Sequence, residues 1–211
     1  METYVVRVWV PDRPGALGQV ASRIGSVGGD VVGIDILERG AGKAIDELVV
    51  TLPSADLEAL LVAEIGQVDD AAVEEIHHLD GAPPEPGTAA LELTARLVEA
   101  EPGKRLDLLC AEVRDLFGAD WVSLVDTVTS AARMTVGVDA PEPAWLLAFV
   151  EGSRHLPPES QHAVTPTDLT WTEMPGHGFV LAIGRVRPSM RSREHRQIAL
   201  LGRILDALEL R

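Results

Sequence analysis

Asp12, Arg13, Pro14 and Gly15 meet where a β-patterned run, TYVVRVWV, gives way to a helical one, ALGQVASRIGSV. A strand ending there and a helix starting there leave the first helical amides without partners inside the helix. Proline at the first helical position loses nothing, because its missing N–H would have been an orphan in any case. Gly15 lets a backbone or a ligand come close, and Asp12 is placed to cap the helix through its carboxylate. The remaining amides sit at the positive end of the helix dipole and suit a small anion such as an amino-acid carboxylate. Asp12 is the nearest acceptor for the ammonium group of such a ligand. Gly33, in the adjoining strand, removes a side chain that would crowd the site. A second reading is purely geometric, since Asp, Pro and Gly also build strand-to-helix corners that bind nothing.

The other constellations carry less chemistry. His77 and His78 are neighbours on a predicted strand and point to opposite faces. Glu75 shares a face with His77, but two ligands do not make a metal site, and no metal or cofactor is expected. Gly-x-Ser-x-Gly, Walker, His-Glu-x-x-His and Cys-x-x-Cys signatures do not occur. The glycines of GSVGGD follow a helix instead of opening one, so they are no dinucleotide fingerprint. Asp126, Glu173 and His177 are the scattered residues an enzyme would use, with a site in the loop around residues 155–178. Arg185, Arg187, Arg191, Arg193 and Arg196 form a basic island, read as partners for acidic groups of this chain or of a second subunit. Cys110 falls on an apolar helical stripe and reads as core.

Lys and Arg number 18 against 33 Asp and Glu, a formal charge of −15 over 211 residues. That balance opposes nucleic acid and anionic membranes as general partners. A single cysteine excludes an intrachain disulfide and fits a reducing cytoplasm. No basic segment followed by an apolar one marks a secretory signal, and no apolar run approaches the ~18 residues of a membrane span. A soluble cytoplasmic protein is expected.

The elements that must position the corner follow from periodicity. Val6, Val8 and Val10 fall on one face of the first strand, Val5, Arg7 and Trp9 on the other. Leu17, Val20, Ala21, Ile24 and Val27 follow helical spacing. VVGIDILER alternates with Val32, Ile34 and Ile36 together, GAGK reads as a hairpin tip, and AIDELVVTL returns as a third strand. Ser54 is placed to cap a helix carrying Leu57, Leu60, Leu61 and Ile65, and AAVEEIHHL closes the set as a fourth strand. The order β-α-β-β-α-β is the ferredoxin-like pattern. Pro83, Pro84 and Pro86 then mark a linker over residues 81–88.

Beyond the linker, two helices are predicted, the first from Thr88 to Ala100 and the second with Leu106, Leu109, Cys110, Val113, Leu116 and Phe117 on one stripe. Strands are expected at ADWVSLVDT, SAARMTVGV and FVLAIGRVR, with helices at PAWLLAFVEGSRH and around Ile198, Leu201, Leu205 and Leu208. Helices at both ends of antiparallel strands give an α+β sandwich over residues 89–211.

The segment VWVPDRPGALGQVASRIGSVGGDVVGIDI, with its Asp-Arg-Pro-Gly-x-Leu corner and the following GGDVVGIDI, resembles an ACT domain over residues 1–80. The resemblance implies a small regulatory module that pairs with a second copy. It also implies amino-acid binding where the first corner of one module meets the second strand of its neighbour. It assigns Asp12, Arg13, Gly15, Ala16, Leu17, Val32, Gly33 and Ile34 to that pocket. Asn or His side chains that bind ligand at this corner in some members are absent here. LLCAEVRDLFGADWVSLVD and FVLAIGRVRPSMRSREHRQIALLGRILDAL resemble the two ends of a GAF domain, which implies a small-molecule or dimerisation module. The expected protein is therefore a non-catalytic sensor and homodimer that relays amino-acid occupancy to a GAF-like half and a protein partner. The alternatives are the small enzyme above and a ligand-free dimerisation scaffold.

Overall fold

The computed structural model describes residues 1–79, 86–155 and 169–208. The chain divides into two compact units, Met1–Pro83 and Pro84–Arg211.

The first unit carries β1 (Glu2–Pro11), α1 (Ala16–Ser26), β2 (Asp30–Gly40), β3 (Lys43–Leu52), α2 (Glu58–Ile65) and β4 (Ala72–His78). Its four strands form one antiparallel sheet in the order β2-β3-β1-β4, the ferredoxin-like βαββαβ topology. Tyr4, Val6, Val8 and Val10 of β1 join Ala44, Leu48, Val50 and Leu52 of β3 in a core closed by Val20 and Ile24 of α1 and Leu61 and Ile65 of α2. This is the alternation expected of a strand with one face under helices. Gly28, with φ 78°, ends α1 in the left-handed region. Ala41 (φ 51°) and Gly42 (φ 77°) form the tight tip between β2 and β3. The Ser54 hydroxyl accepts from the Asp56 amide, a cap on the short 3₁₀ turn Ala55–Leu57 that leads into α2.

The expected stripe on β2 is altered by a bulge. Ile34 and Ile36 stand opposite Leu48 and Asp46 and share their face, but the register shifts between Val31 and Gly33, and Val32 has no direct partner. All three are exposed, Val32 at 50%, Ile34 at 53% and Ile36 at 41%, because β2 is an edge strand.

The second unit carries α3 (Pro86–Glu99), α4 (Arg105–Leu116), β5 (Trp121–Asp126), β6 (Ala132–Gly137), α5 (Pro143–Ser153), β7 (Leu169–Met174), β8 (Phe179–Gly184) and α6 (Ser192–Ala207). Its described strands form a second antiparallel sheet, β6-β5-β8-β7. One face (Val122, Leu124, Leu181, Ile183) packs against α3, α4 and α6 through Leu97, Leu109, Val113, Ile198, Leu201 and Leu205. The other face (Trp121, Val125, Ala182, Leu169) packs against Leu146 of α5. Gly202 lets α6 lie against β7, where a methyl on it would overlap the Thr172 side chain. Among the described residues, no helix is long and apolar enough to cross a membrane.

Candidate functional site

The corner after β1 is tighter than its sequence suggests. Pro14 is not the first helical residue. The chain turns through Arg13, Pro14 and Gly15, the Ala16 amide donates to the Arg13 carbonyl at 3.2 Å, and the helix starts at Ala16 with Gly15 as its N-cap. Gly15 has φ 87°, a conformation that L side chains adopt only with strain, and nothing lies within 4 Å of where its Cβ would be. The glycine serves the turn and not close packing within the chain. Asp12 does not cap the helix either: α1 has no side-chain cap. The Asp12 amide instead donates to the Gly42 carbonyl at 2.9 Å, which ties the corner to the β2–β3 tip.

The consequence is a bare helix end. The amides of Leu17 and Gly18 take no acceptor among the described residues, while Gln19 donates to the Gly15 carbonyl at 3.0 Å. Arg13 lies exposed beside them, its guanidinium 3.4 Å from Gln19 Oε1. Two open amides, the positive helix end and a guanidinium all favour a small anion.

Val32, Gly33 and Ile34 do not join this corner within one chain. Val10 stands opposite Ala44 on β3, while Ile34 stands opposite Leu48. Four residues of strand and two strand spacings separate them, about 14 Å along the sheet and about 10 Å across it. Gly33 does not open room at the corner: a Cβ there would press on Val49 Cγ2 at 3.2 Å.

Asp46 lies outside the residues that motif and spacing single out. It occupies an inward position of β3, between Ala44 and Leu48, and stands opposite Val8 and Ile36. It is 3% exposed, and its Oδ1 has no hydrogen-bond partner. An acid within the alternation Ala44, Asp46, Leu48, Val50 was the available signal. Burial raises its pKa above the ordinary carboxylate value; Arg39 opposes the rise and the Asp12 carboxylate adds to it. The folded chain therefore holds this proton more firmly than the unfolded chain. The stability so gained is full below the ordinary carboxylate range and is lost as pH rises through the raised folded value. Asp46→Asn, neutral throughout, is expected to melt higher than the parent at neutral pH, by about 1 kcal/mol of stability. Thermal melts across pH should show that advantage shrink on acidification; a constant offset would contradict the assignment.

Asp126 and Glu173 are engaged in structural contacts. Asp126 Oδ1 accepts from the amides of Val128 and Thr129 at 2.9 Å each, closing the β5–β6 turn. Glu173 is paired with Arg154, and His177 lies in the β7–β8 turn. Residues 156–168 of the expected enzymatic loop lie outside the described residues. His78 bonds Glu2 at 2.8 Å and meets Tyr4 edge-on. Among the described residues, no three His, Cys, Asp or Glu side chains gather as a metal site. Arg185 of the basic island is buried and paired with Glu194 at 2.7 Å, the intramolecular use expected of it. Burial pushes the Cys110 thiol up to about 12, with Asp107 adding, so it stays protonated in the core.

No family model matches the chain, and no curated protein does. Among solved structures, it is similar to an unknown protein from Galdieria sulphuraria, with 14% identity over 45% of this chain and a TM-score of 0.33; the chain spans 64% of that protein's length. It is similar to an uncharacterized protein from Thermotoga maritima at 24% identity, covering 37% of this chain and 96% of the other, with a TM-score of 0.29. The ACT domain from the GTP pyrophosphokinase of Chlorobium tepidum is similar at 16% identity, covering 37% of this chain and all of the domain, 100%, with a TM-score of 0.30. These are weak and partial likenesses of fold.

Proposed function

We propose that the first unit is an ACT-like sensor that binds a small amino acid at the interface of a homodimer. Its occupancy is passed to a GAF-like second unit that faces another protein, with no catalysis by this chain. The observation that carries the reading is the uncapped start of α1, where the Leu17 and Gly18 amides and Arg13 offer a cradle for a carboxylate. The edge strand β2 supports the pairing. Its exposed Val32, Ile34 and Ile36 form an apolar margin beside unpaired backbone groups, which invites a second strand. Antiparallel joining of two β2 strands would bring residues 32–34 of one copy to the end of the sheet where the other copy carries its corner. That pairing reduces the offset along the strands between two candidate groups that a single chain keeps at opposite ends of the sheet. Relay requires the ligand to bind one arrangement of the dimer more tightly than the other.

Calorimetric titration with the twenty amino acids, together with sedimentation equilibrium, tests this. The parent should be a dimer that binds one or a few small amino acids. Gly18→Ala keeps the amide and should bind normally, whereas Gly18→Pro deletes it in the first helical turn and should weaken binding about tenfold. Ile34→Lys should give a folded monomer that no longer binds. A monomeric parent, or equal binding by Gly18→Pro and Gly18→Ala, would overturn the proposal.

A further inference from the structure

The second unit holds a crevice of about 440 Å³ at the end of its sheet where β5 begins, lined by Asp120, Trp121, Val138, Asp139, Trp145 and Leu169 together with Pro141 and Val186. Its volume is that of a small-molecule site. Its walls are fixed by packing. The Trp121 indole lies over Gly184, where any side chain would overlap the ring. Trp145 stacks on Phe149 with centroids 5.4 Å apart and planes 11° apart, and Phe149 meets Trp171 edge-on. Trp145 is nevertheless 49% exposed, so part of its indole is presented to the crevice.

Among the described residues, the charged side chains of the lining are both carboxylates, and no Lys, Arg or His lines it. Asp120 is oriented by the Val186 amide, which donates to its Oδ2 at 2.8 Å. Arg185, next to Val186 in the chain, is committed to Glu194 and to the carbonyls of Phe117 and Pro188. Indole faces and two carboxylates in an acidic protein attract a cation. A primary ammonium has three donors to satisfy, and this lining is more apolar than polar with one carboxylate oxygen already engaged. A quaternary trimethylammonium has no N–H to satisfy and gains from contact with indole and proline.

We propose that this crevice is a binding site for a small organic cation bearing a methylated ammonium group, held between Trp145 and the carboxylates of Asp120 and Asp139. It is separate from the amino-acid reading of the first unit and stands without it.

Three probes test it on the full chain by calorimetry and by the indole N–H signals in NMR: choline, ethanolamine, and the neutral carbon isostere of choline with a tert-butyl group in place of trimethylammonium. Choline should bind saturably and shift the Trp145 signal, and the other two should bind about tenfold more weakly or worse. Trp145→Ala removes a half-exposed side chain and should leave the fold intact while weakening choline about tenfold. Asp139→Asn should weaken choline and flatten its salt dependence. Absence of saturable choline binding, equal binding of the neutral isostere, tighter binding of ethanolamine, or unchanged binding by Trp145→Ala would each overturn the proposal.

Discussion

Arg185→Ala is expected to cost the second unit about 3–5 kcal/mol, enough to consume much of a small domain's stability. Arg185 is only 6% exposed, and its guanidinium is used on several sides. It pairs with Glu194 Oε1 at 2.7 Å and donates to the carbonyls of Phe117 and Pro188 at 2.6 Å each, with a longer bond to Ser189 at 3.4 Å. Glu194 is itself buried, and its other oxygen accepts from the Arg191 amide at the start of α6. Removing the arginine takes the ion-pair partner from Glu194 Oε1 and a donor from each of two carbonyls at once, so the loss exceeds that of a single hydrogen bond. Arg185→Lys should recover little, because a point charge cannot replace a planar fork that reaches diverging acceptors. Denaturant unfolding should show a markedly lower midpoint for both variants and a smaller fall for Glu194→Gln. A parental midpoint for Arg185→Ala would mean that the network adds nothing net.

Gly137→Ala should be nearly as damaging, through the backbone. Gly137 closes the β5–β6 ladder opposite Trp121 with φ 91°. An added methyl would overlap the Asp120 carbonyl and come within 2.8 Å of Trp121 Cα. Those are main-chain atoms that cannot swing aside, and the Val138 amide also donates to that carbonyl at 3.2 Å. The unfavourable φ costs on the order of 1–2 kcal/mol and the overlap adds to it, for a total of about 3 kcal/mol or more. Gly15→Ala is the matched control, with φ 87° and open space around the new methyl. It should lose only the first part. Parallel thermal melts in which the two variants fall equally would reject the close-approach account.

Alternation and helical spacing made most elements legible, because each of those strands or helices has one face in a core. Val6, Val8 and Val10 announced β1 and its inner side, and Leu109, Cys110 and Val113 announced α4. Position-specific geometry was less readable. The Asp-Arg-Pro-Gly string marked the corner correctly, but whether Pro14 enters the helix depends on the φ of Gly15, which the residue type permits without dictating. The inward period of β2 failed at Val32 because a bulge is a property of the pair of strands and not of either sequence. The Trp121–Gly184 contact and the Arg185–Phe117 bond join positions far apart in the chain, and no local pattern encodes such meetings. Asp46 was the opposite case: its signal was present, one acid among inward apolar residues.

The four tryptophans are divided unequally, with Trp9 in the first unit and Trp121, Trp145 and Trp171 in the second. Trp9 sits on β1 opposite Ile45 and Ala72, two residues before the strand ends. The protein therefore carries its own optical labels. With the three distal indoles replaced by phenylalanine, emission from Trp9 alone would follow the amino-terminal module, and the Trp9→Phe chain would follow the other. The order in which the halves melt, or respond to a solute, then becomes measurable without attaching a dye.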